Sequence, residues 1–164
     1  MRPTIWAPWR IDYILSEKPE GCIFCEYPGQ GPGLDNLVLH VEERAFVVLN
    51  RYPYINGHLM VVPRAHVSRL GDLSADTMRD TALLLQETER IVRESIGPEG
   101  MNIGLNQGRA AGAGIDAHLH WHLVPRWVGD GNYVAVVGET RVINQSLEDV
   151  WRQLRPCFER LAED

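Results

Sequence analysis

The chain has 164 residues, 45% of them hydrophobic, and a formal net charge of −6 at neutral pH. That size and composition predict one domain, 1–164, with a single sizeable core. The acidic balance argues against a broad nucleic-acid-binding surface, which needs positive charge, but leaves room for a small polyphosphate held locally by amides, a few cations or imidazoles. No run approaches the roughly 18 apolar residues of a membrane span. The segment Met1 to Trp6 lacks a signal-peptide hydrophobic region, so a cytoplasmic location is the expectation.

In chain order, residues 1–16 mix Trp6, Trp9, Ile11, Tyr13 and Ile14 with Pro3 and Pro8. This reads as an arm that packs on something, such as a second subunit. Cys22-Ile23-Phe24-Cys25 follows, and then Pro28 to Gly33, a loop by composition. Leu37–Val41 and Ala45–Asn50 read as strands joined at Glu42-Glu43-Arg44, and a loop with Asn56-Gly57 leads to a strand over His58–Val62. Ser74 is a candidate N-cap for a long helix that Gly97-Pro98 ends. Met78, Ala82, Leu85, Val92 and Ile96 recur along it at helical spacing. Met101–Asn106 reads as a strand, Gly108–Gly114 as a small-residue loop, and Tyr133–Val137 as a short strand. Leu147, Val150, Trp151, Leu154, Cys157, Phe158 and Leu161 mark the apolar stripe of a C-terminal helix, which Pro156 should kink or break. The order predicts an α+β fold: an antiparallel sheet of about five strands with two main helices.

Three of the six histidines lie in Ala117–Pro125, where His118, His120 and His122 alternate with Leu119, Trp121 and Leu123. Period two predicts a strand with an apolar face and an imidazole face. At about 3.3 Å per residue, His118 and His122 would be about 13 Å apart, too far to share one metal ion. The C-x-x-C pair can be a redox site, half a metal site or two small buried residues. Redox motifs of this kind open a helix, whereas a Gly/Pro-rich loop is expected here, so metal ranks above redox. Tetrahedral zinc would need two further ligands, with His66 and one histidine of the triplet as the candidates. Such a site could add on the order of 10 kcal/mol to folding. The loop Gly104–Gly114, rich in glycine and alanine, could bring backbone amides close to phosphate. A phosphate loop beside an imidazole suits nucleophilic attack at phosphorus.

The His-x-His-x-His pattern with two apolar residues after it, together with Val48–Pro53, Gly57–Pro63 and the C-x-x-C, resembles the histidine-triad (HIT) superfamily of nucleotide hydrolases and transferases. The branch that cleaves dinucleoside polyphosphates is nearest, and its bacterial members share a tail similar to Pro125–Tyr133. The resemblance implies a HIT-like fold and a covalent nucleotidyl-histidine intermediate. In it His120 is the nucleophile, His122 contacts the same phosphate and His58 sits behind the nucleophile. By the same resemblance Asn50 holds the ribose hydroxyls and Asn106 lies near the phosphates with Gly112 and Gly114 of the glycine-rich loop. Phe24 and Leu49 flank the base, and Cys22, Cys25, His66 and His118 hold zinc. Four protein ligands close a zinc shell, so the metal would be structural, and no organic cofactor is implied. Fhit-like hydrolases carry a glutamine shortly before the triad. Here Ala113 and Gly114 stand near its place, in a loop one residue longer. That leaves room for inorganic phosphate as acceptor and tips the expectation slightly from hydrolysis toward phosphorolysis, with Arg109 and Arg126 as candidate phosphate ligands. Family members commonly form homodimers. The competing readings are a nucleotide-binding or interaction protein, a nucleoside phosphoramidate hydrolase of the same superfamily, and a hydrolase using zinc as Lewis acid.

Overall fold

In the computed structural model, residues 21–130 and 143–161 are described. The aromatic arm at 1–16, the strand expected at Tyr133–Val137 and the end of the Pro125–Tyr133 tail lie outside the described residues. The chain runs α1 (Ile23–Gln30), β1 (Val38–Val41), β2 (Ala45–Leu49), β3 (Leu59–Pro63), α2 (Ala75–Ile96), β4 (Gly100–Leu105), β5 (Trp121–Arg126) and α3 (Leu147–Leu161). The strands form one fully antiparallel sheet in the order β1-β2-β3-β5-β4. The expected α+β fold and its strand count are therefore found, with α1 as a short additional helix. No helix among the described residues is long and apolar enough to cross a membrane.

The two long helices lie side by side, α2 over β2 and β3 and α3 over β1. α2 starts where its cap chemistry directs: Ser74 Oγ accepts from the Thr77 amide, and Gly97 closes the helix in the left-handed conformation at φ 65°. The buried face of α2 differs from expectation by one residue. Thr77, Thr81, Leu84, Thr88, Ile91 and Val92 face inward, while Met78 is exposed. Counting Met and Ala as core and Thr as polar put the stripe out of phase. Thr81 and Thr88 can be buried because each hydroxyl donates to the carbonyl four residues back, Thr77 and Leu84, at 2.7 Å.

α3 carries the expected stripe, with Val150, Leu154 and Phe158 buried. Of the kink or break expected at Pro156, the break does not occur: the helix runs on to Leu161. Proline forfeits one intrahelical hydrogen bond, and burial of Leu154 and Phe158 on either side offsets that loss. Trp151 Nε1 donates to the Val38 carbonyl and Arg155 to the Leu39 carbonyl, both across to β1.

Two further expectations are corrected. Pro28 and Gly29 continue α1, so the C-x-x-C does open a helix, with Cys22 at its N-cap position and Phe24 and Pro28 buried. The histidine strand begins at Trp121, not Ala117. His118 and His120 precede it in irregular backbone and are buried, so of the three only His122 lies on the strand.

These assignments make contrasting predictions for unfolding in urea. Ser74→Ala should cost about 1 kcal/mol and Leu84→Ala about 2–5 kcal/mol. Met78→Ala, at an exposed position, should stay within about 0.5 kcal/mol of wild type.

Candidate active site

Hydrogen bonds to groups of fixed character decide the protonation of each imidazole in turn. Gly57 makes the turn into β3 at φ 72°, where a Cβ would come within 2.9 Å of Ile96, and so brings His58 in under the loop before it. The Tyr54 amide donates to His58 Nδ1 at 3.1 Å. Asn50 Oδ1 accepts from the Tyr52 amide at 2.9 Å, which fixes its side chain with Nδ2 toward His58 Nδ1 at 3.2 Å. His58 Nδ1 is therefore an acceptor, and its Nε2–H donates to His122 Nδ1 at 2.9 Å. His122 consequently carries its own proton on Nε2.

His120 is fixed independently. Its Nδ1 lies 2.8 Å from the His118 carbonyl, which can only accept. Nδ1 thus holds the proton and Nε2 keeps a free lone pair. The His120 and His122 rings meet edge to face at 4.8 Å. A nucleophilic nitrogen and an N–H donor are in this way brought side by side.

Burial is the main cause that holds these rings neutral. It pushes the His120 pKa below the ordinary histidine value, against a smaller opposing effect from the bond to the His118 carbonyl. His122 is pushed down to about 4, by burial first and by the neighbouring charge of His120 second.

His118 faces a separate cluster. Its Nε2–H donates to the Pro63 carbonyl at 2.8 Å, leaving Nδ1 with a lone pair. That Nδ1 is 3.3 Å from Cys22 Sγ and 3.7 Å from Cys25 Sγ, and His66 Nδ1 is 3.2 Å from Cys25 Sγ. The ligand atoms of Cys22, Cys25, His66 and His118 all lie within 4.8 Å of one another. A zinc tetrahedron with ordinary Zn–S and Zn–N bonds has edges of about 3.4–3.8 Å, so the donor set and its spacing are compatible with that ion. Desolvation and then the adjacent Cys22 push the Cys25 thiol up, a crowding of like groups that a bound cation relieves.

The remaining candidates are distributed around this core. Phe24 of α1 is buried, its ring 5.1 Å from His120 and 5.5 Å from His118. Leu49 ends β2, buried in the cross-strand row with Leu59 and Leu123, one residue out of phase with the row holding His122. Asn106 follows β4, lines a cleft of about 540 Å³ with His122, and has Gly112 near its amide. Gly114 lies in the same loop but lines no part of that cleft. Arg109 pairs with Asp116 and Arg126 with Asp130, so neither is a free cation. Sequence reading missed Tyr54, whose ring centroid is 4.5 Å from that of His58 and 5.8 Å from that of His122. Its contribution to the network is a backbone N–H, which no residue pattern encodes.

The sequence model of the HIT domain matches residues 33–128. An AP-4-A phosphorylase of Mycobacterium tuberculosis is 37% identical over 159 residues, covering 92% of this chain and 81% of that protein. A bis(5'-adenosyl)-triphosphatase of Dictyostelium discoideum is 28% identical over 74% of this chain and 85% of its own length. Among solved structures, a zinc-bound histidine triad family protein from Mycobacterium smegmatis superposes with a TM-score of 0.67 at 30% identity, covering 87% of this chain and 96% of that one.

The depressed His122 pKa makes stability depend on pH. Between its ordinary value of 6.5 and about 4, the unfolded chain takes up a proton that the native site refuses. Stability should therefore fall as pH drops through that window. Urea midpoints measured from pH 7.5 to about 4.5 should show a shallower decline in His122→Gln than in wild type.

Proposed function

The chain belongs to the HIT domain family, and we propose that it cleaves dinucleoside polyphosphates through a covalent nucleotidyl–His120 intermediate. The observation that carries this reading is the bond from His120 Nδ1–H to the His118 carbonyl, which leaves Nε2 unprotonated in a desolvated site. Nε2 attacks the α-phosphorus, a nitrogen–phosphorus bond forms, and the bond to the bridging oxygen breaks. That oxygen departs with its electron pair as a nucleoside polyphosphate, a weak base that needs no strong acid. The Nε2–H of His122 donates to a non-bridging oxygen where negative charge grows. An acceptor oxygen then forms a new bond to phosphorus as the His120–phosphorus bond breaks.

Inorganic phosphate is the acceptor we favour over water. The loop before the triad offers Ala113 and Gly114 where a water-positioning glutamine would be expected, and the Mycobacterium tuberculosis relative is a phosphorylase. Asn106, with the amides near Gly112 and Gly114, would receive the phosphates. Phe24 and Asn50 would hold the nucleoside that remains bound, while Leu49, buried in the row out of phase with His122, would support that wall from behind. The amide of Asn50 is already engaged with His58 and Tyr52, so contact with ribose would have to share its donors.

Zinc in the Cys22–Cys25–His66–His118 cluster would tie α1 to the loops that carry the histidines. Four protein ligands leave it no open position for substrate. Its effect on chemistry would be indirect, by holding the residue whose carbonyl holds His120. Three free thiols suit a cytoplasmic enzyme. A homodimer fits the edge strand β4, whose Ile103 is 46% exposed.

Diadenosine tetraphosphate supplied with 18O-labelled phosphate should yield ATP and labelled ADP. AMP with label from water would make the enzyme a hydrolase, and no cleavage would refute the reading. His120→Ala should reduce turnover by at least about a thousandfold while circular dichroism and metal content stay as in wild type. The chain as purified should carry about one zinc per protein, by the four-ligand closure of a structural site. The double variant Cys22→Ser, Cys25→Ser should lose that zinc and melt at lower temperature; unchanged zinc content would remove the cluster from consideration.

A further inference from the structure

The histidine-bearing face of β4 and β5 continues well past the reacting centre. The register sets Gly104 opposite His122 and Asn102 opposite Val124, with Arg126 beyond. These residues line the cleft of about 540 Å³, which runs from His122 to Arg126 and Asp130 with Tyr54 beside it. Glycine inside a strand weakens it and often marks a close approach by another group. Gly104 has no positive φ, and a Cβ built there would meet nothing within 4 Å. No contact among the described residues requires glycine at this position, and the bare backbone leaves space at the cleft floor beside His122.

Among the described residues, the far end of the cleft pairs one cation with one carboxylate. Arg126 donates from Nε and Nη2 to the two oxygens of Asp130, at 2.6 and 2.8 Å, and from Nη1 to Asn102 Oδ1 at 2.8 Å. These bonds use three of the five guanidinium N–H groups. A cation already neutralised by a carboxylate is a poor receptor for phosphate. A flat, net-neutral cluster of donors and acceptors beside Val124 suits a neutral polar ligand such as a ribose or the edge of a base. By strand rise, Arg126 also stands about 13 Å from His122, beyond the reach of a single phosphate at the nucleophile.

We infer that this cleft is the subsite for the departing half of the dinucleotide, its phosphates passing over Gly104 and its nucleoside docking on Asn102, Arg126 and Asp130. The inference rests on the cleavage reaction proposed above. It also moves Arg126 away from the acceptor. Inorganic phosphate must approach phosphorus from the side the leaving group vacates, at the His122 end of the same cleft. Arg126 serves the first half-reaction, as a group that selects for a second nucleoside.

The test compares diadenosine tetraphosphate with adenosine 5'-tetraphosphate, which has the same phosphate chain and no second nucleoside. Wild type should favour the dinucleotide in kcat/KM, and Arg126→Gln should lower that preference roughly tenfold. Asn102→Ala, at a position whose side chain is exposed, should do the same and decides the matter if Arg126→Gln fails to fold. Equal loss on both substrates, no loss on either, or a wild type indifferent to the second nucleoside overturns the subsite while leaving the cleavage reaction standing. A wild type that cleaves neither compound overturns the cleavage reaction and the subsite with it.

Discussion

His118 is the residue on which the rest of the site depends, because both ring nitrogens and its carbonyl are committed at once. Its Nε2–H is held by the Pro63 carbonyl, its Nδ1 faces two cysteine sulfurs, and its own carbonyl holds the Nδ1–H of His120. The first contact anchors it to the end of β3 and the second joins it to α1. The third selects the tautomer of the candidate nucleophile. A rotation of the His118 ring would disturb the cysteine cluster and the Pro63 contact together, and a backbone shift that followed would reach the lone pair of His120. Full burial of the ring makes such a rotation costly, since each freed polar group would be left without water or partner.

The sheet supplies the rigidity this arrangement needs. β2 and β3 are buried along their whole length, and α2 and α3 cover one face with a continuous apolar core. On the other face β5 presents His122, and the turn into β3 presents His58. Burial strips His122 of hydration there, and its neutral form wins. A site of neutral rings does not attract phosphate by charge. It recognises phosphate by directed N–H groups, which fits a chain whose net charge is −6 and whose arginines near the site are already paired.

Much of this was legible in the residue order. Ser74 and Gly97 marked α2 because capping is local chemistry, complete within a few residues. The α3 stripe survived Pro156 for a related reason: seven apolar residues at helical spacing outweigh one lost hydrogen bond. The errors arose where a hydrogen bond or a packing partner overrides what residue polarity alone suggests. Thr77, Thr81 and Thr88 face the core because their hydroxyls are satisfied within the helix, so a hydropathy count misjudged which side was buried. Pro28 has the composition of a loop around it, yet burial of Phe24 and Pro28 against the sheet keeps α1 helical through it. Alternation across Ala117–Pro125 suggested a strand four residues too long, since period two reports side-chain polarity and not whether a neighbouring strand is there to pair.

The sequence by itself determined the inventory: the α+β order of elements, the triad of histidines, the C-x-x-C pair and the glycine-rich loop. These are properties of residue type and near-neighbour spacing, which a linear chain displays in full. Only the tertiary structure decided which nitrogen of each histidine carries a proton. That depends on the Tyr54 amide and on the carbonyls of Pro63 and His118, backbone groups that every residue possesses and that folding alone aims. It also decided that Arg126 is neutralised by Asp130 at the far end of an open cleft, and that Gly104 lies on its floor opposite His122. Strand register set those distances, and register is fixed by packing across the sheet.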